Sequence, residues 1–440
     1  MTELAAHQMT AGEAGRAIAE KRIAPSELVE GCLGHIAARE PRVQAWIHVA
    51  AEEARMAARL RDAQEIGDAL HGIPFGVKDI IEADGLPMGC GSPIYHGNVA
   101  PRDAAPVALL KEAGGICLGK TVTTELAHFH PGKTRNPHRP THTPGGSSSG
   151  SAAAVAAGMV PVALGTQTTG SVLRPASFCG VYGYKPSFGD VSRSGVMACA
   201  TSFDTVGWFT RSVEDVETVR QALVRVPPRP LDDVPIGDLR VGLFKGPDWE
   251  KADAETRDFI AGAAEHLARV GAKVTDVASP AYFTDFAPHH RTVSGFEFAR
   301  AITWERVEHP GKLSPKLVDG RCQDGLDCTY EDYVAAQNAL TEARARFAEL
   351  IAGFDVLLTP VAAAAAPEGL LATGDPLFNT AWTALGVPAL SIPAFRDKTG
   401  MPIGLQVAAA YRDDARMLAA ARAIAAEFDV AVVRPVDQVD

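Results

Sequence analysis

An α/β fold is predicted from three observations on the sequence. Apolar runs of strand length alternate with longer segments whose apolar residues recur at helical spacing. Gly and Pro bound most of those runs, as turns between short buried strands require. The chain is long, 440 residues, and its 46% hydrophobic content against 22% charged can bury a sizeable core. That length allows either two or three average domains or one large α/β domain with insertions. No internal repeat is visible.

In chain order, Thr10-Ala11-Gly12-Glu13 has capping-box spacing and opens a helix. A second helix is expected from Pro25 to about Arg39, a short strand at 45–49, and a third helix at 52–63. Residues 71–81, HGIPFGVKDII, read as a buried strand with one lysine, Lys78, among apolar neighbours. A lysine there commonly sits at a strand end or extends its amine to water. A helix at 105–113, a strand at 115–119 and a short helix at 120–127 follow. After the central stretch at 145–180, segments 181–196 and 202–212 read as strands joined by tight turns, and 213–224 as a helix. Residues 227–233, PPRPLDD, are the clearest linker; beyond them come a strand at 239–244 and an amphipathic helix at 254–270. Residues 283–350 are helical, aromatic and broken by loops, as a substrate-facing cap would be. Strands at 355–360, 388–393 and 403–407 and a helix at 415–427 complete the chain. The organisation read from this is N-terminal helices over 1–65, a catalytic core over 66–225, a linker over 226–238, and continuation of the sheet with the helical segment over 239–440.

Composition excludes several function classes. A net charge of -11 with scattered Lys and Arg argues against a nucleic-acid partner. Seven cysteines, an odd number at irregular spacing, fit free thiols in a reducing compartment. The N-terminus lacks a basic region followed by an apolar core, and no apolar run reaches the length of a membrane span. A cytoplasmic protein without a membrane partner is expected. Four histidines, His128, His130, His138 and His142, crowd one loop, but Pro140 breaks the His138–His142 spacing and no H-E-x-x-H or paired C-x-x-C occurs. No metal site is assigned; the loop reads as substrate-facing or solvated.

The chemistry concentrates in residues 145–180, a stretch rich in Gly, Ser and Ala with almost no charge. It holds two serine-bearing turns, Gly145-Gly146-Ser147-Ser148-Ser149-Gly150 and Gln167-Thr168-Thr169-Gly170-Ser171. Successive N–H groups in such turns form anion-binding concavities, so a serine within one has an oxyanion site around it. Gly146-Ser147-Ser148-Ser149-Gly150 also matches the G-x-S-x-G nucleophile elbow, which would make Ser148 the nucleophile of a Ser-His-Asp hydrolase. That motif needs a strand entering the turn, and three prolines in residues 136–144 oppose one. A phosphate-binding P-loop is excluded because no G-K-[ST] follows the glycines.

Taken together, these motifs resemble the amidase signature family over nearly the whole chain. The family's Gly-Gly-Ser-Ser turn matches Gly145–Ser148, its second serine matches Ser171 at the same separation, and its strand lysine matches Lys78. Weaker matches lie at Gly119-Lys120-Thr121, Cys179-Gly180, Gly183-Tyr184-Lys185-Pro186-Ser187, Ser202-Phe203-Asp204 and Gly404-Leu405-Gln406. The resemblance implies one large α/β/α layered domain around a twisted mixed sheet, with a helical cap-like segment. It implies Ser171 as nucleophile, Ser147 (preceded by a cis peptide bond) as proton relay and Lys78 as base. The N–H groups of Thr168, Thr169, Gly170 and Ser171 would hold the oxyanion. Ser148, Arg174, Phe129, His130 and Gln167 are candidates for substrate contact. No cofactor is implied.

Elementary chemistry agrees with this assignment. A serine hydroxyl needs a neighbour to take its proton, and a lysine does so only when neutral. Lowering a lysine pKa from ~10.4 to about 7–8 requires roughly 4 kcal/mol, and burial among Phe75, Val77 and Ile80 has the right sign. Three positions depart from the commoner pattern. Thr169 stands where glycine is usual, so a positive φ there would be strained, and Gln167 stands where an acid is common. Arg174 follows Ser171 by three residues rather than two, which resembles the malonamidase branch, where this arginine meets a substrate carboxylate. A structural pairing of that arginine is an equal alternative.

The family's substrates include amides, ureido acids, esters and carbamates. A small amide or carbamate is the expected substrate, including urethanes. The glutaminase-type subunit of a tRNA amidotransferase is the alternative, opposed by the arginine spacing. A catalytically inactive binding subunit on the same fold is a further one. A homodimer is left open.

Overall fold

The computed structural model describes residues 4–67 and 69–436. Eleven strands form one mixed sheet: β1 (Trp46–Val49), β2 (Pro74–Lys78), β3 (Ile116–Thr121), β4 (Val162–Gln167), β5 (Tyr182–Lys185), β6 (Thr205–Thr210), β7 (Arg240–Phe244), β8 (Lys273–Val277), β9 (Val356–Pro360), β10 (Ala389–Arg396) and β11 (Pro402–Ala408). Their spatial order is β1-β3-β2-β4-β6-β5-β10-β11-β9-β7-β8. β2 runs parallel to both neighbours, β3 and β4, whereas β4 through β11 and on to β9 pair antiparallel. Every residue of β2, β4, β5, β6, β9 and β11 is buried, so helices cover both faces of the sheet centre. The α/β class read from the alternation of runs is the observed class.

The central stretch folds as strand and helix in close contact. The helix Ser149–Ala156 consists of Ser, Gly, Ala and Val, and all eight residues are buried. Small side chains let its backbone lie against the sheet: a Cβ on Gly150 would stand 2.3 Å from both the Ala45 carbonyl oxygen and the Val122 nitrogen. A second buried helix, Leu173–Cys179, follows Ser171 directly and ends on Gly180 in the left-handed conformation. The region beyond the linker adds β7 to β9 and the cap, whose main helices are Phe286–Ala301 and Tyr330–Ile351. Phe244, Phe283, Phe286, Phe347 and Trp382 form a separate aromatic core beneath it.

Three expectations are corrected. Residues 120–127 are not a helix: Lys120 and Thr121 end β3, and a 3-10 turn at Glu125–Ala127 follows, with Leu126 and Ala127 at φ 46° and 58°. β8 was not anticipated, because the edge strand Lys-Val-Thr-Asp-Val is largely exposed and carries no apolar run. The strand at 71–81 is only Pro74–Lys78, its ends being turns.

Candidate active site

Lys78 is the last residue of the central strand β2 and is fully buried. Its Nζ lies 2.7 Å from Ser147 Oγ, 2.8 Å from Thr166 Oγ1 and 3.5 Å from the Thr166 carbonyl oxygen. No carboxylate stands within ion-pair distance of it among the described residues. Burial therefore pulls its pKa down to about 7, opposed only by longer-range effects of Cys199 and Asp204. A neutral amine has two hydrogens and one lone pair, so one of its neighbours must donate to it. Of the two hydroxyls, only that of Ser147 lines the adjoining cleft.

Ser147 follows Gly146 through a cis peptide bond. Gly145 has φ +81°, and a Cβ there would meet Pro175 Cα at 2.8 Å, so only glycine suits the position. The turn is tied to the second serine turn, since the Ser148 N–H donates to the Ser171 carbonyl at 3.3 Å. Ser171 lies just past the end of β4, at the start of the helix Leu173–Cys179.

Ser147, Thr168, Thr169, Gly170, Ser171 and Arg174 all line one narrow, open cleft. Thr169 does not take a positive φ, so its β-branched side chain sits in the turn without backbone strain. The N–H groups of Thr169, Gly170 and Ser171 have no protein acceptor among the described residues.

Arg174 is bonded to the backbone on two sides. Its Nε donates to the Thr373 carbonyl at 2.8 Å and its Nη2 to the Gly146 carbonyl at 2.7 Å, which fixes the first serine turn. Its Nη1 is buried and finds no partner among the described residues, although the residue lines the cleft. Phe129 lines the cleft as well, as does His128 beside it.

Three candidates for substrate contact are placed elsewhere. Ser148 Oγ is buried and bonded at 3.2 Å to both the N–H and the carbonyl of Thr166, pinning the helix start to β4. With its hydroxyl so occupied and no strand entering the turn, it is no nucleophile elbow. Gln167 caps the second turn from within: its Oε1 accepts from the N–H groups of Val172 and Leu173, and its Nε2 donates to Thr383 Oγ1. His130 is exposed and outside the cleft. Of the other histidines in that loop, His138 bonds the Cys179 carbonyl and His142 bonds Thr141. Among the described residues no cluster of His, Cys, Asp or Glu could hold a metal ion.

Sequence reasoning missed Thr166, Arg321 and Thr373, and it noted Asp204 within a family match without giving it a task. Asp204 accepts from Thr168 Oγ1 at 2.6 Å and from the N–H groups of Cys199 and Ala200, which holds the second serine turn from behind. Arg321 reaches the cleft from the cap, and its only side-chain hydrogen bond among the described residues is from Nη1 to the Arg291 carbonyl at 3.2 Å. The neighbouring acid, Asp324, is engaged by Arg291 at 2.6 Å. None of these residues lies in a motif that names a task, and each acquires one only by tertiary placement.

The Amidase family model matches residues 27–418. A glutamyl-tRNA(Gln) amidotransferase subunit of Anaeromyxobacter sp. (strain K) is 35% identical over 94% of this chain and 95% of its own length. Among solved structures, 6-aminohexanoate cyclic dimer hydrolase superposes with a TM-score of 0.85 at 27% identity, covering 98% of this chain and 99% of its own. The peptide amidase of Stenotrophomonas maltophilia gives 0.82 at 27% identity with the same coverage. On a family match spanning most of its length and a relative 35% identical over 94% of it, the chain belongs to the Amidase family.

Proposed function

We propose that the chain hydrolyses the C–N bond of a small amide or carbamate through an acyl-enzyme on Ser171. The observation that carries this reading is a buried amine without a carboxylate partner, 2.7 Å from the Ser147 hydroxyl, behind a cleft that Ser147 and Ser171 share. Neutral Lys78 draws the Ser147 proton, and Ser147 in turn takes that of Ser171 as its Oγ attacks the carbonyl carbon. The N–H groups at 168–171 receive the negative charge that develops on oxygen. The proton returns through Ser147 to the leaving nitrogen, the C–N bond breaks and the amine departs. Water then attacks the ester, giving its proton along the same path, and the acid leaves with Ser171 restored.

The charge of the cleft supports a narrower substrate class. Arg174 and Arg321 both line it, neither guanidinium is ion-paired to a carboxylate among the described residues, and no Asp or Glu is among its lining residues. Such a site suits an acyl group that bears a carboxylate of its own. The 35% identical amidotransferase relative favours a second reading, a glutaminase-type subunit. Glutamine offers the carboxylate, but its ammonium would meet cations and no acid.

The test is a panel of amides, anilides, ureas, carbamates and glutamine, with S171A as control. Turnover of a small amide or carbamate, abolished in S171A, is the expected result. Ammonia release from glutamine alone would favour the second reading. Turnover retained by S171A would falsify the acyl-enzyme.

A further inference from the structure

Two carbonyls of the turn that would hold the oxyanion, those of Thr168 and Thr169, are each clamped by a side chain from outside it. The Thr168 carbonyl accepts from His290 Nε2 at 2.8 Å. His290 sits on the cap helix Phe286–Ala301, is 1% exposed, and stacks on Phe203 with ring centroids 4.4 Å apart. A carbonyl cannot donate, so the proton of this ring is on Nε2. Burial, assisted by the charge of Arg321, holds the pKa of His290 at about 3, so it is the neutral ring that donates. The Thr169 carbonyl accepts from Thr383 Oγ1 at 2.6 Å, and the same hydroxyl accepts from Gln167 Nε2 at 2.9 Å.

A trans peptide unit is planar, with its C=O and N–H pointing in opposite directions. Fixing the Thr168 carbonyl therefore fixes the Thr169 N–H, and fixing the Thr169 carbonyl fixes the Gly170 N–H. Both carbonyls point away into protein, and both N–H groups are left without an acceptor among the described residues. We infer that His290 and Thr383 are positioning residues, which lock two peptide planes so that the N–H groups of Thr169 and Gly170 aim at the developing oxyanion. The inference rests on the reading of Ser171 as nucleophile. It makes the cap part of the catalytic apparatus: a side chain from a segment some distance along the sequence orients the oxyanion turn without touching substrate.

An N–H aimed at an oxyanion acts in the transition state and not in the ground state, so its misalignment lowers kcat and spares KM. Loss of an oxyanion donor outright lowers kcat by about 10²–10³. The full chain carrying H290L, H290Q, T383V or T383S is assayed for kcat, KM, thermal midpoint and inhibition by a trifluoromethyl ketone matched to the best substrate. H290L and T383V are expected to lose about 30- to 300-fold in kcat, with KM within about threefold and ketone affinity falling in parallel. H290Q and T383S keep a donor within reach of the same carbonyl and are expected to stay within about tenfold of the wild type. A wild-type kcat in folded H290L and T383V overturns the inference, as does a loss carried by KM, or an H290Q no better than H290L. If H290L does not fold, the Thr383 pair decides by the same criteria. Failure of the wild type to label at Ser171 with an active-serine reagent overturns the acyl-enzyme reading itself, and the inference with it.

Discussion

Lys78 is one of three fully buried lysines among the described residues, and comparison among them shows what makes an amine useful. Lys120 is paired with Asp79 at 3.4 Å and donates to two carbonyls. Lys185, whose pKa burial also lowers to about 7, donates only to the Pro186 carbonyl and lies outside the cleft. Lys78 alone has hydroxyl neighbours, one of which opens on the cleft. Burial sets the pKa; the neighbouring hydroxyl sets the use. Below about pH 7 the ammonium has no lone pair to accept a proton, so kcat/KM is expected to rise about tenfold per pH unit up to that point and then level off. A pH–rate profile that is flat from about 5 to about 8 would contradict this. Lys78 stood out as a lysine among apolar neighbours in a predicted strand, but only the resemblance to a family gave it a task, because which lysine meets a hydroxyl depends on how β2 and β4 lie side by side.

The helix Ser149–Ala156 is the element that places Ser147, and its residues are small and show no amphipathic pattern. It has no polar face because it has no solvent face. What the sequence could not convey is how closely it approaches β1 and β3. A methyl group on Gly150 meets backbone atoms on two sides, and backbone cannot move aside as a side chain can. G150A is therefore expected to destabilise the protein by about 3 kcal/mol, at the upper end of overpacking effects. Chemical denaturation measures this; an unchanged midpoint would show that the helix shifts freely. The segment 120–127 is not the helix expected of it. Its β-branched Thr121, Val122, Thr123 and Thr124 favour extended backbone, Lys120 and Thr121 pair within β3, and Leu126 and Ala127 are left-handed.

At the scale of the molecule, an acidic protein presents a cationic cleft. The net charge is -11, yet Arg174 and Arg321 line the opening that Ser171 shares. Clefts with low-dielectric walls concentrate such a field and attract ions of the opposite sign. Selectivity for a carboxylate-bearing amide over its neutral counterpart is expected to fall about 10- to 100-fold in R321Q, the range of one charged hydrogen bond. Equal losses on both substrates would mean that Arg321 only supports the cap. The Arg321 contribution was not legible, because the cap was recognised as helical and aromatic but its inward-facing residues depend on how it closes over the sheet. No helix among the described residues is long and apolar enough to cross a membrane.

The proposed activation of Ser171 by Lys78 through Ser147 is measured most directly by peptide mapping after exposure to a fluorophosphonate. The predicted result is a single modified residue, Ser171, with modification abolished in K78M while the thermal midpoint is retained. Modification at Ser148, or undiminished modification of Ser171 in K78M, would contradict it.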